Sequence, residues 1–401
     1  MVTSNTQGKA TPKGKQAQPA LRPFITGSRF ADDIQYDQTQ TLDTSTHVLP
    51  TCELDTDGYT AGLYILAECT AVNTQASTAT FLEDSPFRVF ETVNLKDTNN
   101  KDILGPMNGH DLYIAVKYGG YHFVDDAKAS PIYSVTSGSG TTGGTFTFIL
   151  YLPIEIVHRD GLGSLTNKSS SSVFKLNLTT AATTSVWSGT TGAPATSASL
   201  RVRVGQFGWM DSDGRDIKGN STAPEPPAVN TVQFWDKQTF TFSSGSMQQR
   251  LASFSGGLRT IIFEMRDSAG SRTGHEADWP DPFTFNVDKT TLIDRLRTVW
   301  RHIMGEDYGL WNGLEVVPGV SGTAVTEGHK RDYGTYPVSW AKDYGLQPGG
   351  ENRFGYLWVS SATALVLKGS VGTTGTSHTF NVLLNYVNPA NGDPRTLTGG
   401  R

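Results

Sequence analysis

Between Gly144 and Thr180 the order of apolar and polar residues has a period that a β-strand satisfies. Phe146, Phe148, Leu150, Leu152, Ile154 and Ile156 all fall on even positions. A strand therefore gathers the six on one face and sets Thr145, Thr147, Tyr151 and Glu155 mostly on the other. A polar, Gly- and Ser-rich connection from His158 to Ser172 follows, after which Phe174, Leu176 and Leu178 resume the alternation against Lys175 and Asn177. Two long, half-buried strands joined by a long loop read as part of an antiparallel sandwich.

The rest of the chain repeats this signal. Strands are expected at Gly62 to Cys69, Pro86 to Leu95, Leu112 to Tyr118, Gly144 to Val157, Val173 to Thr180 and Leu200 to Phe207. A second set is expected at Thr239 to Phe242, Leu258 to Met265, Phe283 to Val287, Tyr356 to Val359, Ala364 to Leu367 and Thr379 to Tyr386. Turn residues such as Asp97-Thr98-Asn99-Asn100 separate the runs. With 401 residues and only 18 % charged residues, the composition suits two all-β domains.

The two sets look like copies of one another. Gly62-Leu63 opens one strand and Gly257-Leu258 opens another 195 residues later. Asp84-Ser85-Pro86-Phe87 precedes a strand, and Pro280-Asp281-Pro282-Phe283 does so at an offset of 196. Two landmarks at nearly one offset imply a duplicated domain. Residues 218–230, which hold Pro224, Pro226 and Pro227, read as the linker between the copies.

Residues 1–38 are expected to be an extended or disordered arm. Residues 1–30 carry Lys9, Lys13, Lys15, Arg22 and Arg29 with no Asp or Glu, inside a chain of net charge −5. The arm alone is basic, so the chain is not a general nucleic-acid binder. A solvated tail, a segment that docks on a partner subunit, and a segment that meets anionic lipid are all compatible with that composition. One amphipathic helix is expected in the second half, capped by Asp288 or Thr291, with Leu292, Leu296, Val299, Trp300 and Ile303 on its apolar face and Gly305 at its end. Cys52 and Cys69 are the only cysteines and are expected as buried free thiols.

Motifs that carry chemistry are missing. There is no Gly-x-Ser-x-Gly, no phosphate-binding loop and no His-Glu-x-x-His, and none of the eight histidines pairs at a metal-ligand spacing with another. No catalytic, cofactor or metal residues are assigned. Asp211-Ser212-Asp213-Gly214-Arg215-Asp216 begins like a calcium loop, but its Gly comes early and no Glu closes it. In Glu276-Ala277-Asp278-Trp279-Pro280-Asp281, Glu276 and Asp278 have the alternation of a glycosidase pair, yet Pro280 argues against a central strand. Trp340, Tyr344, Phe354, Tyr356 and Trp358 suit either sugar stacking or packing between subunits.

The stretch with which the reading began also carries a resemblance. Leu152-Pro153-Ile154 at a strand end, Arg159-Asp160-Gly161 with Gly163, a Ser/Asn-rich loop and a returning strand resemble the first domain of the double jelly-roll major capsid proteins of tailless, membrane-containing icosahedral bacteriophages, the tectivirus-like group. The region from Arg353 to Val387 is similar to the closing strands of that family's second domain. The resemblance implies two tandem eight-stranded jelly rolls with a few short helices: an arm at 1–38, a first roll at 39–217, a linker at 218–230, a second roll at 231–390 and a tail at 391–401. It further implies a non-enzymatic virion protein, made in the host cytoplasm, that forms homotrimeric capsomers. Its partners would be neighbouring capsomers, penton and minor capsid proteins, and an internal membrane faced by Lys9, Lys13, Lys15 and Arg22. Two rivals stand beside it: a carbohydrate-binding or carbohydrate-active β-sandwich, and a minor capsid or receptor-binding virion protein.

Overall fold

The computed structural model describes residues 21–395 apart from 57, 73–78, 122–126, 139–142, 157–159, 189–196, 273–275, 311–330, 342–350, 360, 361, 363, 375 and 376. In the first half the main strands are β1 (Phe30–Leu42), β2 (His47–Val48), β3 (Tyr59–Val72), β4 (Phe90–Lys96), β5 (Asp102–Met107), β6 (Thr145–Pro153), β7 (Lys175–Thr180) and β8 (Ser197–Trp209), with helix α1 (Gly109–Tyr118) after β5. In the second they are β9 (Val232–Ser243), β10 (Gly245–Arg250), β11 (Gly257–Asp267), β12 (Phe283–Val287), β13 (Thr290–Arg295), β14 (Thr335–Ser339), β15 (Leu365–Val371) and β16 (Ser377–Asn388), with helix α2 (Arg297–Tyr308) after β13.

Each half folds along the same path. The first sheet of the first half runs β1-β8-β3-β6 and its second runs β5-β4-β7-β2; the second half gives β9-β16-β11-β14 and β13-β12-β15-β10. Every strand thus has its counterpart eight places on, and each helix occupies the same crossover. This alternation of strands between two facing sheets is the jelly-roll path. The rolls are also joined directly, because β5 and β9 pair in parallel at Leu104 and Trp235.

Alternation in sequence becomes a core between the sheets. Phe146, Phe148, Leu150 and Leu152 of β6 are buried, as are Leu200, Val202 and Val204 of β8. On the outer face Arg201 pairs with Asp37 and Arg203 with Glu68. Tyr151 and Glu155 depart from the expected wet face, for both are buried. Tyr151 lies beside Tyr64 and Phe207, at centroid distances of 5.4 and 5.8 Å. Gly62 makes room for them, since a Cβ there would come within 2.6 Å of both the Phe207 and Tyr151 rings. Cys52 and Cys69 are buried free thiols, and burial pushes both up to about 12.

Three expectations about secondary structure are corrected. Strand β1 begins at Phe30, inside the span assigned to the arm, because it pairs with β8 from Trp209 onward. Leu112 to Tyr118, expected as a strand, belongs to α1. Asn108 accepts from the Asp111 amide at 2.8 Å, and the Asp111 carboxylate accepts from the Asn108 amide at 3.0 Å, a reciprocal cap that starts a helix. Finally, Thr290–Arg295 is strand β13, so the helix of the second roll starts only at Arg297 and runs through Gly305 to a left-handed Gly309 at φ 67°. Trp300 is buried among Phe263, Trp279, Phe283 and Tyr336, whereas Leu296 and Val299 are 49 and 46 % exposed.

The cap of α1 is worth a measurement. Asn108→Ala removes the acceptor for the Asp111 amide and should destabilise the protein by about 1 kcal/mol. Denaturant unfolding followed by tryptophan fluorescence reads that loss directly.

Candidate functional site

Among the described residues, the densest arrangement of charge lies where the first roll meets the second. Helix α1 and the turn at Asp84 rest on the outer face of the first sheet of roll 2, β9-β16-β11-β14. That face presents Trp235 and Lys237 from β9, Thr260, Glu264 and Arg266 from β11, and Asn381 and Asn385 from β16. Its charges meet charges of roll 1 away from water.

Asp84 is the centre. Arg272 donates to its Oδ1 from Nε at 2.8 Å, and Arg266 reaches its Oδ2 from Nη1. Arg266 also donates to Glu264 at 2.6 Å and to the Gly270 carbonyl at 2.9 Å. His110, from α1, sits with Nε2 3.2 Å from Asp84 Oδ1 and Nδ1 3.4 Å from Arg266 Nη2. Glu83 accepts from the Arg272 amide at 2.7 Å and from Ser271 Oγ at 2.6 Å. Burial by itself would raise the Asp84 carboxyl, but Arg266, Arg272 and His110 hold it well below the usual carboxylate range. Burial raises the Glu83 carboxyl from its ordinary value.

Further along α1 the same pattern recurs. Lys237 of β9 donates to Asp111 at 2.7 Å, so the carboxylate that caps the helix also fastens it to roll 2. Lys117 lies 2.8 Å from Asp332, and Tyr118 donates its hydroxyl to the same carboxylate at 2.6 Å. Burial first, then Asp332, raises the Tyr118 phenol well above its ordinary value, which keeps it a donor. At the helix C-terminus the Gly119 carbonyl accepts from Arg259 at 2.7 Å, while Arg259 grips Glu351 at 2.7 and 2.9 Å. Tyr356 donates to Glu351 at 2.6 Å. Burial would lower the Arg259 guanidinium, but Glu351 holds it well above its ordinary value.

The landmark at the end of β6 belongs to this seam. Gln233 of β9 donates to the carbonyls of Ile154 and Glu155 at 3.0 and 3.1 Å, and Arg353 grips Asp160 at 2.8 and 3.0 Å. Ile156 and Leu162 pack with Tyr356 and Val387 of roll 2. No protein-family model matches the chain, and no curated protein matches it in sequence. Solved structures do. The STIV major capsid protein crystal structure superposes with a TM-score of 0.58 at 11 % identity, covering 90 % of this chain and 98 % of that one. The PBCV-1 virus capsid gives 0.58 at 12 % identity over 93 % and 96 %, and the atomic structure of Sulfolobus Turreted Icosahedral Virus gives 0.54 at 11 % over 90 % and 92 %. The fold is the double jelly roll of viral major capsid proteins.

In this double jelly roll the residues singled out by sequence do not come together as one site. Lys9, Lys13 and Lys15 lie outside the described residues. Arg22 pairs with Asp216 at 2.6 Å and lies in a bridge with Thr222, so the end of the arm is fixed to the linker. Asp216 also accepts from the amides of Lys218 and Asn220 at 2.9 and 2.8 Å, closing a turn. Asp278 is buried 3.4 Å from His378, and Asp281 accepts from the Arg297 amide at 3.0 Å, so these carboxylates do not face one another across a cleft. Of the aromatics, Tyr356 belongs to the Glu351 network, Trp340 packs near Phe285, Phe354 is exposed and Tyr344 lies outside the described residues. The seam itself escaped sequence reading because its partners are far apart in the chain.

Breaking the centre should be costly. Asp84→Ala leaves two buried guanidinium groups short of their counter-charge and should cost about 3–5 kcal/mol in urea unfolding. The folded value of Asp84 lies below its unfolded one, so its contribution is complete above the ordinary carboxylate range and is lost as pH falls through the folded value. Asp84→Asn should therefore be less stable than the wild type at neutral pH and lose less on acidification. Parallel acid limbs for the two proteins would contradict this assignment.

Proposed function

We propose that this chain is a major capsid protein. Three copies form a capsomer in which six similar rolls make a pseudo-hexagonal tile, and such tiles, with penton and minor capsid proteins at their margins, build an icosahedral shell over an internal membrane. The lineage that fits the sequence best is the tectivirus-like group of tailless bacteriophages, through the Leu152-Pro153-Ile154 and Asp160-Gly161-x-Gly163 block. The role is structural rather than enzymatic.

The observation that carries this reading is the seam. Buried ion pairs fasten α1 and the Asp84 turn of roll 1 to roll 2, and β5 pairs with β9, so the two sandwiches are joined as one block. A shell needs such a block: its geometry must be fixed inside the chain if contacts between chains are to repeat accurately. Lys9, Lys13 and Lys15 are the residues proposed to face lipid. Arg22, already paired with Asp216, supports the root of the arm.

Light scattering at several concentrations should give three times the 43.4 kDa chain mass. A monomer throughout would remove the reading. Deleting residues 1–20, which keeps the Arg22–Asp216 pair, should abolish co-sedimentation with anionic liposomes and leave the unfolding midpoint unchanged. Undiminished co-sedimentation would reject the arm's role and leave the capsomer standing.

A further inference from the structure

The outer face of the first sheet of roll 1 changes character at Gly205. Up to Arg203 it carries ion pairs, Arg201 with Asp37 and Arg203 with Glu68. Beyond that point the register sets Phe30 opposite Trp209, Asp32 opposite Phe207 and Ile34 opposite Gly205, which on its other side faces Tyr64. Gly205 has no side chain to fill the space between Ile34 and Tyr64, and a hollow of about 550 Å³ results. Its walls are aromatic. Tyr64 stacks on Phe207 at 5.0 Å, Phe30 meets Trp209 at 5.5 Å, and Phe30 and Tyr64 are 55 and 41 % exposed. A second hollow, of about 290 Å³, shares Asp32, Asp33, Gln206 and Phe207 with the first and adds Gln35 and Asp55.

Charge and hydrogen bonding define what fits. The two linings hold three carboxylates, Asp32, Asp33 and Asp55, and no Lys, Arg or His. None of the three is in an ion pair among the described residues. Gln206, only 7 % exposed, is half used: its Nε2 donates to the Asp55 carbonyl at 3.0 Å and to the Thr60 hydroxyl at 3.1 Å. A carbonyl can only accept, so the amide is fixed this way round. Its Oε1 is then buried with no hydrogen-bond partner among the described residues. A buried acceptor in that state calls for a donor from outside the chain.

We propose that the joined hollows bind a linear aliphatic diamine. One ammonium lies among the rings beside Asp32, where aromatic faces and a carboxylate both attract a cation. The methylene stem passes Phe207. The other ammonium meets Asp33 and Asp55 and supplies the donor that Gln206 Oε1 lacks, a charge-assisted hydrogen bond. A sugar would use the rings and the acceptor but would leave three carboxylates without counter-charge. A bare metal ion would gain nothing from the rings. Only a cation with an apolar stem uses every part of the lining, and such binding is independent of how copies of the chain assemble.

Calorimetric titration of the full chain with cadaverine tests this. It should show one saturable site per chain that weakens as salt is added. Pentanediol, which has the same stem with hydroxyls in place of the ammonium groups, should bind about tenfold more weakly or not at all. Asp32→Asn combined with Asp55→Asn changes two exposed side chains, so the unfolding midpoint should hold while cadaverine binding weakens about tenfold. Gly205→Phe, which fills the aromatic hollow, should weaken it similarly; a Cβ there meets nothing nearer than the Asp33 carbonyl at 3.7 Å. The assignment is overturned if cadaverine fails to saturate by about 10 mM, or if pentanediol binds as tightly. It is equally overturned if both variants bind like the wild type, since the heat would then come from general attraction to a chain of net charge −5. Displacement of cadaverine by an equal concentration of calcium would give the carboxylates to a metal instead and sink the proposal. Should a variant fail to fold, the comparison of diamine with diol on the wild type decides.

Discussion

The arrangement depends on burying charge without leaving it uncompensated. Taking Asp84, Glu264, Arg266 and Arg272 out of water is expensive, and only mutual pairing offsets the cost. Asp84 comes from roll 1 and the other three from roll 2, where Arg266 also pairs with Glu264, so the compensation is complete only when the rolls are docked. An apolar seam would tolerate sliding; this one does not, because a shift of one residue along β11 would bring Met265 or Asp267 to the place where Arg266 meets Asp84. Specific geometry, more than net stability, is what a buried ionic cluster supplies here.

Helix α1 makes that geometry local as well as global. Asp111 closes the N-terminal cap with Asn108 and at the same time receives Lys237, while Gly119 ends the helix on Arg259. Both ends are thus completed by groups that also define the seam. Helix formation and docking are coupled through single side chains. The helix of roll 2 is completed within its own roll: its N-cap residue Leu296 supplies no acceptor, Asp281 accepts from the Arg297 amide instead, and Trp300 is buried in that roll's core.

How much of this could be read in advance followed from the range of each interaction. Alternation in β6, β8 and β16 is plain, since a two-residue period needs only neighbours to be visible, and the duplicated Gly-Leu and Pro-Phe landmarks fall at equivalent places in the two rolls. Leu112 to Tyr118 misled because α1 is buried nearly all round. A short apolar run of that kind has no wet face to reveal a helical period, and only the Asn108-x-x-Asp111 spacing hinted at a helix. Leu292 and Leu296 misled in the opposite sense: their spacing suits a helix face, but pairing of Thr290–Arg295 with β12 prevailed over local pattern. The seam was illegible. Asp84 and Arg272 are 188 positions apart, and nothing near either residue marks it as buried.

The parallel pairing of β5 with β9 carries a mechanical consequence. Because a sheet of one roll continues into a sheet of the other, bending the chain between its halves would mean tearing backbone hydrogen bonds and separating buried charges together. Among the described residues, both ties cross the boundary between the halves. Any curved surface assembled from such chains must take up its curvature at the boundaries between chains, where side chains can adjust, and the radius of that surface is set by contacts that can be altered without disturbing the fold.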